Sequence, residues 1–320
     1  FFIENTYTEL IKTDYFPNSV LDCYIKPSLE NNQKMALIVL DCLRYDQAKS
    51  LLDKLYSDFN VNIAPRMSFL PTTTEYSRNS IFSGLLPNQI IDDFPLEWQE
   101  MNNDNSKLNH YEEYFLKKYC DKNIGKNISI YYDKVIEKEQ GQKIMNKIKD
   151  YTNVDLISIV VNFIDILGHA SVKSKIVKEI ISDDKSYRNE VKQWFENSWL
   201  YKTLLEFKKD NRTIIITSDH GTTLIKKPTI IKADRDTSSG LRYKKGKNLR
   251  VSKKEGITIK NPSKYSLPKS DDNENYIITK SDYFLVYPND FNQYKKIFMN
   301  TFQHGGISVD EMLIPLIELR

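Results

Sequence analysis

Three aspartates and three histidines sit in short motifs that follow apolar runs. Asp41 lies in Leu40-Asp41-Cys42-Leu43-Arg44, and Asp165 and His169 lie in Asn162-Phe163-Ile164-Asp165-Ile166-Leu167-Gly168-His169. Asp219 and His220 form Ser218-Asp219-His220-Gly221, and His304 stands in Gln303-His304-Gly305-Gly306. Carboxylate oxygens and imidazole nitrogens are donors for borderline divalent ions, and six of them suit two zinc ions. The i, i+4 spacing of Asp165 and His169 places both on one face of a helical turn. A hydroxyl nucleophile is available in Pro71-Thr72-Thr73-Thr74, where a turn opening a helix offers free backbone N–H groups as a seat for phosphate. Residue types alone leave the choice among Thr72, Thr73 and Thr74 open. Singly, each motif has a plainer meaning: a strand-end aspartate or a threonine caps the next helix, an Asp-His pair bonds within its loop, and His304 occupies a turn. Their joint placement after strands argues for a site. The fourth histidine, His110, falls in a polar segment and reads as a surface residue.

The elements that must position these groups are legible as periodicity. The runs 36–40, 156–161 and 213–217 are short, apolar and rich in β-branched residues, as expected of parallel strands covered on both faces. Residues 46–57 and 186–209 carry apolar positions at helical spacing. Strands alternating with helices predict an α/β fold, a mostly parallel doubly wound sheet with helices on both faces, whose ligands bind outside the carboxyl ends of the strands. We expect residues 1–34 to be the end of a preceding helical or linker region, 35–320 to be the domain, and the polar segment 102–150 to be a surface insertion.

Composition narrows the classes. The 320 residues carry 46 Lys+Arg against 43 Asp+Glu, a formal charge of +3, with 40% hydrophobic residues. That excludes a disordered chain and argues against a nucleic-acid coat protein. No apolar run approaches the ~18–20 residues of a spanning helix, and no signal-peptide pattern opens the sequence. The first residue is Phe, so a fragment of a longer chain is expected. Cys23, Cys42 and Cys120 are widely spaced without a CxxC, which reads as free thiols in a reducing compartment, the cytoplasm. Residues 225–254 hold eleven Lys/Arg against two acids. This is a solvated loop or a mouth that attracts a polyanion, with Tyr243 and Lys244 as candidate substrate contacts. Arg44 and Arg78 are candidate phosphate contacts, although a surface or structural ion pair is the favoured assignment for both.

The order Asp41, Pro71-Thr-x-Thr74, Asp165-x-x-x-His169, Asp219-His220-Gly221 and His304-Gly305-Gly306 resembles the PglZ domains of the alkaline phosphatase superfamily. Leu70–Pro87, Arg242–Asn248, Phe284–Pro288 and Thr301–Ser308 strengthen the likeness, which is greatest to the effector domains of PorX-type response regulators of type IX secretion. The resemblance covers residues 35–320. It implies one α/β domain with two zinc ions, one held by Asp41, Thr74, Asp219 and His220, the other by Asp165, His169 and His304. It also implies Thr74 as nucleophile, by the Pro-Thr-x-Thr spacing, and a phosphodiesterase acting on cyclic or linear oligonucleotides. An upstream receiver domain, secretion or transcription partners and a homodimer belong to the same expectation. The alternative is a module whose metals are structural and whose output is docking. A sulfatase is disfavoured, because no Cys/Ser-x-Pro-x-Arg motif is present.

Overall fold

Wholly apolar runs take the middle of the sheet and their polar continuations form one of its rims. The computed structural model describes residues 2–103, 107–232, 240–269, 271 and 273–320. Five strands come first: Met35–Leu40 (β1), Val61–Met67 (β2), Ile130–Val135 (β3), Leu156–Val161 (β4) and Thr213–Thr217 (β5). Shorter ones follow: Thr223–Ile225 (β6), Lys227–Ile230 (β7), Tyr243–Gly246 (β8), Gly256–Ile259 (β9), Asn275–Thr279 (β10), Tyr283–Val286 (β11) and Thr301–Gln303 (β12), before Leu313–Leu319 (β13). The main sheet has the order β2-β13-β5-β1-β4-β3. β1 pairs parallel with both β4 and β5, β3 parallel with β4, and β13 runs antiparallel between β5 and β2. β1 and β4 are buried throughout, as central parallel strands should be.

Alternation along β1 feeds two cores. Ala36, Ile38 and Leu40 point to one face, with Ile157, Ile159 and Ile216, and are covered by Ala48, Leu51, Leu55, Val191, Phe195, Leu204 and Phe207 of the flanking helices. Met35, Leu37 and Val39 point to the other, with Val160 and Ile215, and are covered by Ile81, Phe82, Phe115 and Leu116. Helices therefore lie on both faces, as the sequence predicts. The expected helix over 186–209 is two, Asp184–Asn197 and Trp199–Lys209, because Ser198 adopts an extended backbone and its side chain caps the second by accepting from the Tyr201 amide.

One expectation needs correction. The segment 102–150 is no surface insertion: it supplies the sheet-edge strand β3 and the helix Glu112–Asn123, whose Phe115, Leu116, Tyr119 and Cys120 are buried. Its polarity reflects an edge strand and one-sided helices. Residues ahead of β1 also pack onto the sheet. Val20, Leu21, Ile25 and Leu29 enter the core beneath β1, and Tyr7 and Phe16 pack against Phe69 and Tyr276. Part of the basic run, residues 233–239 with Arg235, lies outside the described residues. Among the described residues no helix is long and apolar enough to cross a membrane.

The shared core makes a stability prediction. Ile159 is fully buried on β4, so Ile159→Ala should cost about 2–5 kcal/mol through lost burial and a residual cavity. Urea titration should show a lower midpoint with an unchanged slope.

Candidate metal centre

The carboxyl ends of β1, β4 and β5 bring the predicted groups together. Past Leu40, Asp41 is followed by Cys42 at φ 71, a left-handed turn for a non-glycine residue. That turn aims the Cys42 amide at Asp219 Oδ1 (3.2 Å), while the Leu43 amide donates to Ser218 Oγ (2.9 Å), fastening the β1 loop to the β5 loop. Asp219 Oδ1 also accepts from the His220 amide (2.9 Å). The other oxygen, Asp219 Oδ2, is buried without a hydrogen-bond partner, and so is Asp41 Oδ1. His220 Nε2 lies 3.7 Å from the former and 3.9 Å from the latter, and Thr74 Oγ1 lies 3.0 Å from the same nitrogen.

A second group adjoins the first. The helix Phe163–Lys173 presents Asp165 and His169 on one face, with His169 Nε2 at 3.2 Å from Asp165 Oδ1. His304, just past β12, brings its Nε2 to 3.7 Å from the same oxygen and 3.3 Å from His169 Nε2. The His304 and His220 rings stack at 4.3 Å, which makes the two groups neighbours. Both imidazoles are aimed by their other nitrogen: His220 Nδ1 donates to the Gly221 carbonyl (3.0 Å) and His304 Nδ1 to the Thr72 carbonyl (3.2 Å). With Nδ1 of each ring engaged by a carbonyl, Nε2 is the atom left turned toward the carboxylates.

The threonines divide their work. Thr72 Oγ1 accepts from the Gly305 amide and donates to the Gly306 carbonyl, each at 3.0 Å, so its hydroxyl is spent on the His304 loop. Gly305 has φ +108, which a side chain would strain. Thr73 is the extended N-cap residue, and its buried hydroxyl has no partner. Thr74 opens the helix Thr74–Ser83, with its hydroxyl on His220.

The electrostatics suit divalent cations. Burial and the facing Asp219 push the Asp41 carboxyl up against the pull of Arg78. Burial also works against Asp219 and Asp165, but His220, Arg78 and two backbone amides hold Asp219 low, and the His169 hydrogen bond with the three imidazoles holds Asp165 low. Burial and His220 push His304 down to about 3, so it is neutral. The His169 ring is pushed up by its hydrogen bond to Asp165, so a bound cation, which requires ionised carboxylates and neutral imidazoles, would take the place of the protons favoured on Asp41 and His169. The two buried, unpartnered carboxylate oxygens lack only a positive charge between them, so these residues fit a metal site.

The remaining candidates are placed elsewhere. Arg78 is 2% exposed and bound to Asp41 Oδ2 (2.5 Å) and Glu112, rather than open to a substrate. Arg44 is buried among Asp46, Asp184 and Asp310. Tyr243 does line a cleft of about 820 Å³ that His169 and His304 also border, and its hydroxyl donates to Glu75 Oε1 (2.5 Å). Strand alternation turns Lys244 away from that cleft and over the Tyr287 ring, so the neighbouring Lys245 borders it instead. Asn162, whose side chain donates to Asp41 Oδ2 (3.0 Å), and Glu112 were missed. Asn162 had a signal in its place directly after β4; Glu112, inside the polar segment, had none.

Comparison with known proteins follows the same lines. A model of the BREX system PglZ alkaline phosphatase-like domain matches residues 20–319. A search of curated sequences finds no match. Among solved structures, human ectonucleotide pyrophosphatase/phosphodiesterase 5 is similar at a TM-score of 0.58 and 13% identity, over 89% of this chain and 87% of that one. The murine form, inactive through a threonine-to-alanine change and in complex with AMP, gives 0.53 and 12% over 89% and 87%. Phosphonoacetate hydrolase from Sinorhizobium meliloti 1021 in complex with phosphonoacetate gives 0.51 and 10% over 89% of each chain. At such identities these likenesses speak for the fold, whereas the domain match spans nearly the whole sequence: the chain belongs to the PglZ family of alkaline phosphatase-like domains.

Proposed function

We propose that the chain is a phosphoric ester hydrolase that holds two zinc ions, uses Thr74 as nucleophile and prefers phosphodiesters. The observation that carries this reading is the pair of buried, unpartnered oxygens, Asp41 Oδ1 and Asp219 Oδ2, gathered around His220 Nε2 with the Thr74 hydroxyl on that nitrogen. Asp41, Thr74, Asp219 and His220 would hold one ion, and Asp165, His169 and His304 the other. When bound, such ions supply Lewis-acid stabilisation of the charge on the attacking and leaving oxygens.

The chain's own groups do the rest. Thr74 stands at the start of a ten-residue helix whose first amides have no acceptor within it, so phosphoryl oxygens find donors beside the nucleophile. Attack of the Thr74 oxygen on phosphorus forms one P–O bond as the bond to the leaving alcohol breaks, and water then cleaves the threonine phosphoester. Tyr76, Trp98, Tyr243, Tyr294 and Phe298 border the cleft with Lys245, a lining suited to stacked bases and a charged backbone. With the AMP complex of the murine relative, this supports nucleotides or short oligonucleotides, cyclic or linear, as substrates. The motif likeness to PorX-type proteins supports a finer placement. In it the domain is a cytoplasmic response-regulator effector in type IX secretion, downstream of a receiver domain, with secretion or transcription partners and a homodimeric state.

Hydrolysis of bis(p-nitrophenyl) phosphate and p-nitrophenyl phosphate by the zinc-loaded protein tests the reading. The diester should be the better substrate, and Thr74→Ala should lower kcat at least about 10³-fold with its cation content intact. Wild-type turnover by that variant would remove Thr74 as nucleophile, whereas complementation of secretion by an inactive Thr74→Ala would favour the docking alternative.

Removal of zinc with a chelator should abolish turnover. It should also lower the thermal midpoint, because the ion binds the folded state selectively, and added zinc should restore both. An unchanged midpoint in a calorimetric scan would count against a metal centre.

A further inference from the structure

We infer that Arg78 and Glu112 form a buried positioning pair that presents Asp41 to the first cation, and that this pair sets the affinity of that site alone. The inference rests on the metal-centre reading above. Arg78 and Glu112 are 2% and 1% exposed. The Arg78 Nη1 donates to Asp41 Oδ2 at 2.5 Å, and its Nε binds Glu112 Oε1. Glu112 Oε2 is held in turn by the Tyr132 hydroxyl (2.5 Å) and Lys134 Nζ (2.8 Å), both on β3. Asn162 adds a second donor to Asp41 Oδ2 at 3.0 Å. One oxygen of Asp41 is thus saturated by fixed donors while Oδ1 has none. A carboxylate fastened by one oxygen loses the freedom to turn both away, so its free oxygen is aimed before any ion arrives.

The pair also explains why Arg78 leaves room for a cation. Nη1 is 3.9 Å from Asp219 Oδ2, outside hydrogen-bond range, and the guanidinium is drawn back by Glu112. Without Glu112 the same charge would be free to swing between Asp41 and Asp219 and neutralise the oxygens that a cation needs. No counterpart of this pair touches Asp165, His169 or His304 among the described hydrogen bonds, so the second site should not respond.

The test is zinc titration with a competing chromophoric chelator, alongside thermal unfolding of the zinc-free protein. Arg78→Met alone leaves the buried Glu112 Oε1 without its partner and would confuse folding with affinity; the variants are therefore Arg78→Met/Glu112→Gln and Arg78→Lys. The double variant should unfold within a few degrees of wild type, bind one equivalent with wild-type affinity, and bind the other about 10–100-fold more weakly. Arg78→Lys, which keeps a charge and a donor, should fall between. Two equivalents at wild-type affinity in the double variant, or equal weakening of both, would overturn the inference. Should the double variant fail to fold, the same one-site loss in Arg78→Lys supports the inference and unchanged binding overturns it. Wild-type protein that takes up no zinc would instead overturn the metal-centre reading itself.

Discussion

Two carboxylates buried face to face, each with one oxygen left without a hydrogen bond, are the constraint on which this architecture turns. Burying an ionised group without a partner is among the most expensive things a fold can do, and the upward push on Asp41 beside Asp219 shows that cost. The surrounding chain answers from every side. The Cys42 and His220 amides take Asp219 Oδ1, Arg78 and Asn162 take Asp41 Oδ2, and Ser218 fastens the two loops. The two amides, Arg78 and Asn162 are all spent on the outer oxygens. The inner ones are left facing His220, and a fold that satisfies half of each carboxylate so thoroughly has reserved the other half.

The sheet makes that reservation affordable in structural terms. β1 sits between β4 and β5, parallel to both, so three chain crossings deliver their next residues to one rim. Asp41 and Asp219 therefore need only short loops to meet, although 178 positions separate them in sequence. The antiparallel β13 closes the other side of β5, and the segment just before it carries His304 back to the Thr72 carbonyl. Position along the chain is irrelevant here; the common direction of the strands decides.

How much of this was legible in the sequence follows from the same distinction. Groups adjacent to a recognisable strand were legible, because an apolar run fixes both the strand and where it ends. Asp41, Asp165, His169, Asp219 and His220 were found that way, and the structure brings them together with His304 and Thr74. Groups whose meaning depends on a distant partner were not. For Arg78 the sequence favoured an ion pair over a phosphate contact, but it could not name the partner, Glu112, 34 residues on in a polar segment. Lys244 was preferred to Lys245 because a basic run has no phase until β8 assigns alternate residues to opposite faces. The polar stretch around β3 misled for a related reason, since an edge strand and one-sided helices need few apolar residues.

The three consecutive threonines show how one residue type can be resolved by geometry when composition offers no choice. Thr72 is locked by both of its hydrogen-bonding roles to the loop after His304, so moving its hydroxyl would displace an imidazole of the second group. Thr73 caps by backbone conformation, its side chain accepting nothing from the helix. Thr74 has its hydroxyl on His220, at the start of a helix whose free amides point the same way. A single turn therefore touches both groups, the His304 loop through Thr72 and His220 through Thr74. The stacking of His220 on His304 at 4.3 Å sets the two groups side by side.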